Sequence, residues 1–322
     1  MYAENEKYVL GRIVAAGGGA KLDDFTDFPR YIQLETTSEC TARCVMCGIN
    51  EWRKNMKSHY MEDDLFYKIS DEIIAHRDKV MKIALYVGNE PLLDKKLAQR
   101  IAYLKNNGIK KVNFSTNGSL MDYDKAVEIL ESGVDHINFS IDGLDKQTYE
   151  KIRKPLKFEE VLGNVLGFIK LRDKKGKKTQ IRISIIKTKL IDDSMERVCN
   201  FWGKVLDFSL GDKIRIDDLS FVYGTQKNFD KIHAISLEEE APYSTSNEIP
   251  CYILWNTLTI KCDGSVALCN VDQCRHVNLG NLQSNTICEI WKHNKERFAI
   301  MEKHLCAGRG SVDVCKNCIG WL

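Results

Sequence analysis

Three cysteines on one short segment, Cys40-Thr-Ala-Arg-Cys44-Val-Met-Cys47, are the residues whose spacing most plainly points to chemistry. Thiolates are soft ligands suited to iron–sulfur clusters, and a [4Fe-4S] cube normally takes four of them. Three leave one iron without a protein ligand, open to the amino and carboxylate groups of a small molecule. The plain alternative is a zinc knuckle or three buried thiols. Zinc prefers four ligands, commonly in paired Cys-x2-Cys form, and no second pair lies nearby.

A second group of cysteines closes the chain. Pro250-Cys251 is followed by Cys269 after an Asp263-Gly264 turn, and Cys315-Lys-Asn-Cys318 completes four thiols. On spacing alone a four-cysteine zinc ribbon and an iron–sulfur site are evenly matched. Cys199 and Cys288 fall on apolar helix patterns and read as core. Cys262, Cys274 and Cys306 read as loop residues of this region, each a candidate to replace a ligand or to donate a hydrogen atom.

The rest of the chain has to position these groups. Twelve cysteines with no signal peptide and no apolar stretch near the ~20 residues of a bilayer span give an expectation of a reduced, cytoplasmic protein. Metal chemistry then fits better than a disulfide framework. A net charge of +2 gives no field that would suit nucleic acid or an anionic membrane. The basic run at Lys174–Lys178 reads as a solvated loop. Gly17-Gly18-Gly19 reads as a turn and not a phosphate loop, since no Lys-Ser or Lys-Thr follows.

Strand and helix periods alternate from residue 31 onward. Strands are expected at 31–37, 82–87, 111–115, 136–141, 180–186 and 213–222. Helices are expected at about 63–79, 95–106, 123–132, 146–153, 158–173 and 194–206. Repeated strand–helix units imply parallel pairing with right-handed crossovers. Six are too few to close an eightfold barrel. The expected fold is therefore α/β, a partial (β/α)6 TIM-like barrel with a small C-terminal module. Its expected parts are an N-terminal extension at 1–29, the barrel at 30–225 and the module at 226–322. In the module, two short strands at 258–261 and 266–269 and one helix near 286–301 are expected. Chemistry in such sheets gathers on loops after the carboxyl ends of strands.

Those loops carry a resemblance. Cys-x3-Cys-x2-Cys after the first strand resembles the signature of the radical S-adenosylmethionine (SAM) superfamily. Gly88-Asn89-Glu90-Pro91, after the second, resembles its Gly-Gly-Glu-Pro motif, with Asn89 in place of the second glycine. Ser115-Thr116-Asn117-Gly118 resembles the ribose-side motif, and Ser140-Ile141-Asp142-Gly143 the Ser-x-Asp-Gly motif. Each motif alone is weak; four in order, each at a strand end, are specific. The resemblance covers about residues 30–225. It implies that Cys40, Cys44 and Cys47 hold a [4Fe-4S] cluster. It also implies that Gly88, Asn89, Glu90, Ser115, Asn117, Ser140 and Asp142 bind SAM, with Arg153 at the SAM carboxylate and Met46 near adenine. The implied reaction is reductive cleavage of SAM to methionine and a 5′-deoxyadenosyl radical that takes hydrogen from a substrate, with a reductant such as flavodoxin or ferredoxin. The C-terminal cysteines resemble the auxiliary-cluster module of SPASM and twitch proteins, which favours iron–sulfur over zinc. Cys251, Cys269, Cys315 and Cys318 are then the ligands of one auxiliary [4Fe-4S] cluster, with no open iron. The arrangement is similar to that of the enzymes that dehydrogenate 2-deoxy-scyllo-inosamine.

The favoured expectation is oxidation of an alcohol carbon in a small carbohydrate or cyclitol, with Asp272 or Glu90 as the base. The alternatives are an epimerase of a sugar or peptide using Cys262, Cys274 or Cys306 as hydrogen donor, and a ribosomal-peptide maturase. A zinc scaffold without radical chemistry is the reading from another class. Arg182 and Arg215, on alternating strand positions, face either the barrel interior or surface partners.

Overall fold

The computed structural model describes residues 1–15, 25, 27–49, 59–191, 194–218, 247–272, 277–316 and 318. After helix α1 (Tyr2–Ala15) the barrel runs β1 (Tyr31–Leu34), α2 (Asp63–Ala75), β2 (Lys82–Ala84), α3 (Leu97–Asn106), β3 (Val112–Thr116), α4 (Tyr123–Glu131) and β4 (His136–Ser140). It continues with α5 (Lys146–Ile152), α6 (Phe158–Lys174), β5 (Gln180–Lys187), α7 (Met195–Val205) and β6 (Lys213–Asp218). The C-terminal part holds α8 (Ile253–Asn256), β7 (Thr257–Ile260), β8 (Ser265–Ala267), β9 (Asn278–Asn281), α9 (Ile287–His293) and α10 (Lys295–Ala307).

All neighbouring pairs from β1 to β6 are parallel. Strands with one face packed under the helices need apolar side chains at alternating positions. Ile32, Leu34, Ile83, Phe114, Ile137, Phe139, Ile181, Ile183 and Ile185 fill that role and are almost wholly buried. Short strand ends leave the loops free to converge on one face. Asp122 and Asp145 accept from the N–H groups of Lys125 and Thr148, at 2.8 Å each, and start α4 and α5 where the loops must turn back. The expected continuation of β6 to residue 222 lies outside the described residues beyond Asp218.

Two features depart from the sequence expectations and a third was not foreseen. The unforeseen one is that β7 pairs in parallel with β1, giving, among the described residues, one nine-stranded sheet in the order β6-β5-β4-β3-β2-β1-β7-β8-β9. The expected hairpin is present, with β7 and β8 antiparallel about Gly264 at φ +80°, a conformation that suits glycine. The single helix expected near 286–301 is two, α9 and α10. Asn294 breaks it: its Oδ1 accepts from the Arg297 N–H at 2.8 Å and its Nδ2 donates to the Leu279 carbonyl at 2.6 Å. The N-terminal residues, which read as a polar extension, form α1 and pack on α10. Val9 and Ile13 are fully buried, and Asn5 Nδ2 donates to the Leu305 carbonyl at 2.9 Å.

Candidate active site

The loop after β1 carries Cys40, Cys44 and Cys47 and is pinned on both sides. Its Arg43 and Val45 N–H groups donate to the carbonyls of Lys154 and Ile152, at 2.5 and 2.9 Å, at the end of α5. The Arg43 guanidinium wraps back onto the carbonyls of Cys40 and Ala42 at 2.8 and 2.7 Å. The Glu90 N–H donates to the Glu39 carbonyl at 2.8 Å, tying this loop to the one after β2. Loop backbone is thus satisfied by neighbouring loops, which is how a turn-rich segment can hold side chains in fixed places.

All three thiols line one cavity of about 230 Å³, together with Met46, Tyr86, Gly88, Asn89, Glu90, Ser115, Asn117, Ser140 and Arg153. The loops after β1, β2, β3 and β4 therefore meet as the motif order implied. Glu90 is the tie between two of them. Its carboxylate, 1% exposed, accepts from Thr116 Oγ1 at 2.7 Å, the Asn117 N–H at 2.8 Å and the Leu92 N–H at 3.1 Å. Burial pushes its pKa up to about 7 against the pull of those donors. Asn89 fills the second-glycine position by folding its Oδ1 onto the Val87 N–H at 3.0 Å, while its buried Nδ2 has no partner among the described residues. Asn117 Nδ2 donates to Thr41 Oγ1 at 2.9 Å and lies 3.9 Å from the Cys40 sulfur. Gly118 stands at φ +77°, and a Cβ there would come within 3.2 Å of Val165. Only glycine makes that turn without displacing α6.

Asp142, fully buried, binds the Ile186 N–H at 2.8 Å and the Arg153 Nε at 2.6 Å. Arg153 Nη1 then lies 3.7 Å from the Cys44 sulfur. Burial lowers the Arg153 pKa, but Asp142 and the Cys44 thiol outweigh it and hold the guanidinium firmly charged. The arginine named for the SAM carboxylate does line the cavity, already oriented by Asp142.

The donor set fits an iron–sulfur cluster by its chemistry. As bare thiols, Cys40 and Cys47 are pushed up to about 12 and about 11, by burial first. Glu90 adds to the rise at Cys40, and Cys44 adds to it at Cys47. Such thiols stay protonated until a metal replaces the proton. Among the described residues no three His, Cys, Asp or Glu side chains stand close enough to hold a single ion. A cubane takes its thiolates on separate irons, so the match is one of donor type and number.

The C-terminal thiols form a second group. Burial raises Cys251 and Cys315 to about 12 and also raises Cys269 well above an ordinary thiol; Cys251 and Cys318 raise Cys269 and Cys315, so all four sit within electrostatic reach. Backbone N–H groups of Ile253 and Leu254 bond the Cys251 sulfur, and those of Val271 and Asp272 the Cys269 sulfur. The buried Arg309 donates to the Cys318 carbonyl, and His304 Nδ1 accepts from the Cys251 N–H at 3.1 Å. Sequence reasoning missed Arg309, His304 and α1, because single polar residues in a helical pattern carry no motif.

The named catalytic candidates are not brought together. Asp272, 3% exposed, binds the Val277 N–H at 3.0 Å beside the C-terminal thiols and does not line the SAM-side cavity. Glu90 lines it but spends its carboxylate on three donors. Cys262 is buried at 2% exposure against Ser38 and Glu35, outside the cavity lining. Cys306 is not a loop residue; it sits exposed near the end of α10. Cys274 lies outside the described residues. Cys199 and Cys288 are half-buried. Arg182 turns inward and bonds Asn138 Oδ1 at 2.9 Å, whereas Arg215 bonds Asp217 at 2.6 Å on the exposed side.

An open parallel α/β barrel with a three-thiol loop at its active end and a four-thiol module beside β1 defines an iron–sulfur enzyme built to hold a small cofactor. The chain belongs to the radical SAM superfamily: the model of that family matches residues 34–193, and that of the SPASM iron–sulfur cluster-binding domain matches 251–319. The family carries a [4Fe-4S] cluster and SAM, and the SPASM domain binds auxiliary iron–sulfur. Curated relatives include a probable GTP 3',8-cyclase of Methanococcus maripaludis, 28% identical over 56% of this chain and 54% of that one. A tungsten-containing aldehyde ferredoxin oxidoreductase cofactor-modifying protein of Pyrococcus furiosus is 32% identical over 42% and 40%. The chain spans about half the length of these relatives. Among solved structures, BtrN in complex with AdoMet and 2-DOIA superposes with TM-score 0.58 at 17% identity, covering 90% and 93% of the two chains. Streptococcus suis SuiB bound to precursor peptide SuiA does so with TM-score 0.64 at 15% identity, covering 94% and 74%. At such identities these two establish the fold. No helix among the described residues is long and apolar enough to cross a membrane.

Proposed function

We propose that the enzyme removes a hydrogen atom from a small polar substrate of carbohydrate or cyclitol type and oxidises an alcohol carbon. When bound, the cluster at Cys40, Cys44 and Cys47 supplies the electron that cleaves SAM, and one auxiliary cluster at Cys251, Cys269, Cys315 and Cys318 an acceptor for the electron the substrate gives up.

One observation carries the reading. Ser115, in the wall of the SAM-side cavity, begins a ladder of polar side chains across three strands. Asn138 Nδ2 donates to Ser115 Oγ at 2.7 Å, and Asn138 Oδ1 accepts from Ser184 Oγ at 2.6 Å and Arg182 Nε at 2.9 Å. A barrel that only needed packing would fill these inward positions with branched apolar residues. Hydroxyl, amide and guanidinium groups suit a ligand rich in hydroxyls, and their mutual bonds fix their directions before it arrives. Asp142 and Arg153 sit at the SAM end, and Glu90 locks the loops after β2 and β3 together. The neighbour bound to 2-DOIA supports the substrate class; the relatives named GTP 3',8-cyclase keep other radical chemistry within the same family.

The test is anaerobic reconstitution with dithionite, SAM and a panel of cyclitols and sugars deuterated at the alcohol carbon. Deuterium in 5′-deoxyadenosine with a ketone product is expected. Replacement of the label by solvent hydrogen in an unoxidised product would replace dehydrogenation by epimerisation, and turnover only with peptide would make the chain a maturase.

A further inference from the structure

The opposite end of the barrel holds a second and larger cavity, of about 570 Å³, at the amino-terminal ends of β2 to β6. Its walls are strongly basic. Lys82, His136 and Arg182 are half-buried on its inner side, and Lys111, Lys178 and Lys213 are exposed around it. The single lining carboxylate, Asp135, is occupied by Lys105 at 2.7 Å. None of Lys82, Lys111, Lys178 or Lys213 makes an ion pair among the described residues; Lys82 lies 5.3 Å over the Tyr31 ring. Register puts the basic side chains on adjacent strands: Arg182 is paired with Lys213, and the His136 ring, neutral near pH 7, sits opposite Gln180 two residues before Arg182.

Clustering cations in a recess whose one lining carboxylate is already paired is costly, and the cost shows in the groups themselves, although Asp212 works against it at His136 and Asp217 at Arg182. Burial lowers the Lys82 pKa, and Arg182 and Lys111 lower it further. Burial lowers that of His136 to about 4, helped by Arg182 and Lys82. A fold that needed only a sealed barrel end would place apolar residues here. Low-dielectric walls lined by one sign of charge concentrate ions of the other sign.

We propose that this amino-terminal mouth is a binding site for a phosphate-type polyanion, seated on Lys82 and Arg182 and gathered by Lys111, Lys178 and Lys213. The volume falls within the range of small-molecule sites, and the inner cations sit too deep for the flat face of an acidic protein. The site rests on the barrel and not on the radical reaction, so it stands or falls separately from the proposed oxidation. The phosphate belongs either to a free anion or to the tail of an organic ligand reaching up the lumen, since Arg182 also bonds Asn138 of the polar ladder.

The experiment is calorimetric titration of the intact, cluster-loaded protein with sodium tripolyphosphate and, separately, ATP, at about 0.15 M salt, without SAM or reductant. One saturable site is expected, weakened roughly tenfold or more by Lys82→Gln/Lys213→Gln. The control Lys170→Gln/Lys303→Gln, which removes the same charge from exposed positions elsewhere, should stay within about twofold of wild type. The exposed pair Lys111→Gln/Lys178→Gln gives a second variant that cannot disturb the core. Tighter ATP than tripolyphosphate binding assigns the anion to the tail of an organic ligand; equal binding assigns it to a free anion. No saturable binding, or equal weakening by the control, overturns the proposal.

Discussion

Arg153 Nε donates to Asp142 Oδ2 at 2.6 Å, so the carboxylate just past β4 holds the guanidinium against the Cys44 thiol 3.7 Å away. The pair is buried, and removing one partner strands the other. Arg153→Met should cost about 3–5 kcal/mol, and adding Asp142→Asn should recover more than half of it. Denaturant midpoints of the two single variants and the double variant check this. Equal costs that simply add would mean that the pair is not coupled.

Glu90→Gln keeps the volume but turns one acceptor oxygen into an NH2 group, set either against the Asn117 N–H or against the Thr116 hydroxyl and the Leu92 N–H. The expected loss is about 1–3 kcal/mol with weakened SAM binding, because the loops after β2 and β3 part. Equilibrium dialysis with labelled SAM, alongside an unfolding curve, measures both. Unchanged SAM affinity would detach Glu90 from the cofactor cavity.

His136 gives a pH dependence with a definite sign. Its folded pKa is depressed to about 4 from an ordinary 6.5, first by burial and then by Arg182 and Lys82. Between these values the unfolded chain takes a proton that the folded chain refuses. Stability from this group is therefore complete above pH 6.5 and falls as pH drops toward 4, by on the order of 2 kcal/mol for a half-buried ring. His136→Gln should flatten that part of the profile in urea titrations at pH 7.5 and 5. The same slope in both proteins would contradict the assignment.

The strand–helix order of the barrel was legible because it rests on a strong local signal, apolar alternation in β1 to β6, with each motif at a strand end. The convergence of Cys40, Glu90, Asn117 and Asp142 followed from that order. Long-range placement was not legible. Nothing local in Thr257–Ile260 states that β7 will pair with β1, and Asn294 looks like any polar residue until its cap is seen. The loop cysteines show the same limit: Cys262 and Cys306 share a residue type and a region, yet one is buried beside Glu35 and the other is exposed on α10.

Helix α1 tests how the C-terminal module is held. Ile13 is fully buried, and Ile13→Ala should cost about 2–4 kcal/mol through the cavity it leaves. The loss should appear as easier release of iron from the module on heating, followed at the charge-transfer band. A variant with unchanged iron retention would make α1 an appendage.

The central claim, that two separate thiol sets hold two clusters, is tested most directly by counting iron and sulfide after anaerobic reconstitution of the wild type and of Cys40→Ala/Cys44→Ala/Cys47→Ala. The account predicts roughly eight irons in the wild type and about four in the triple variant, which forms no 5′-deoxyadenosine. Loss of all iron from the triple variant, or only about four irons in the wild type, would contradict it.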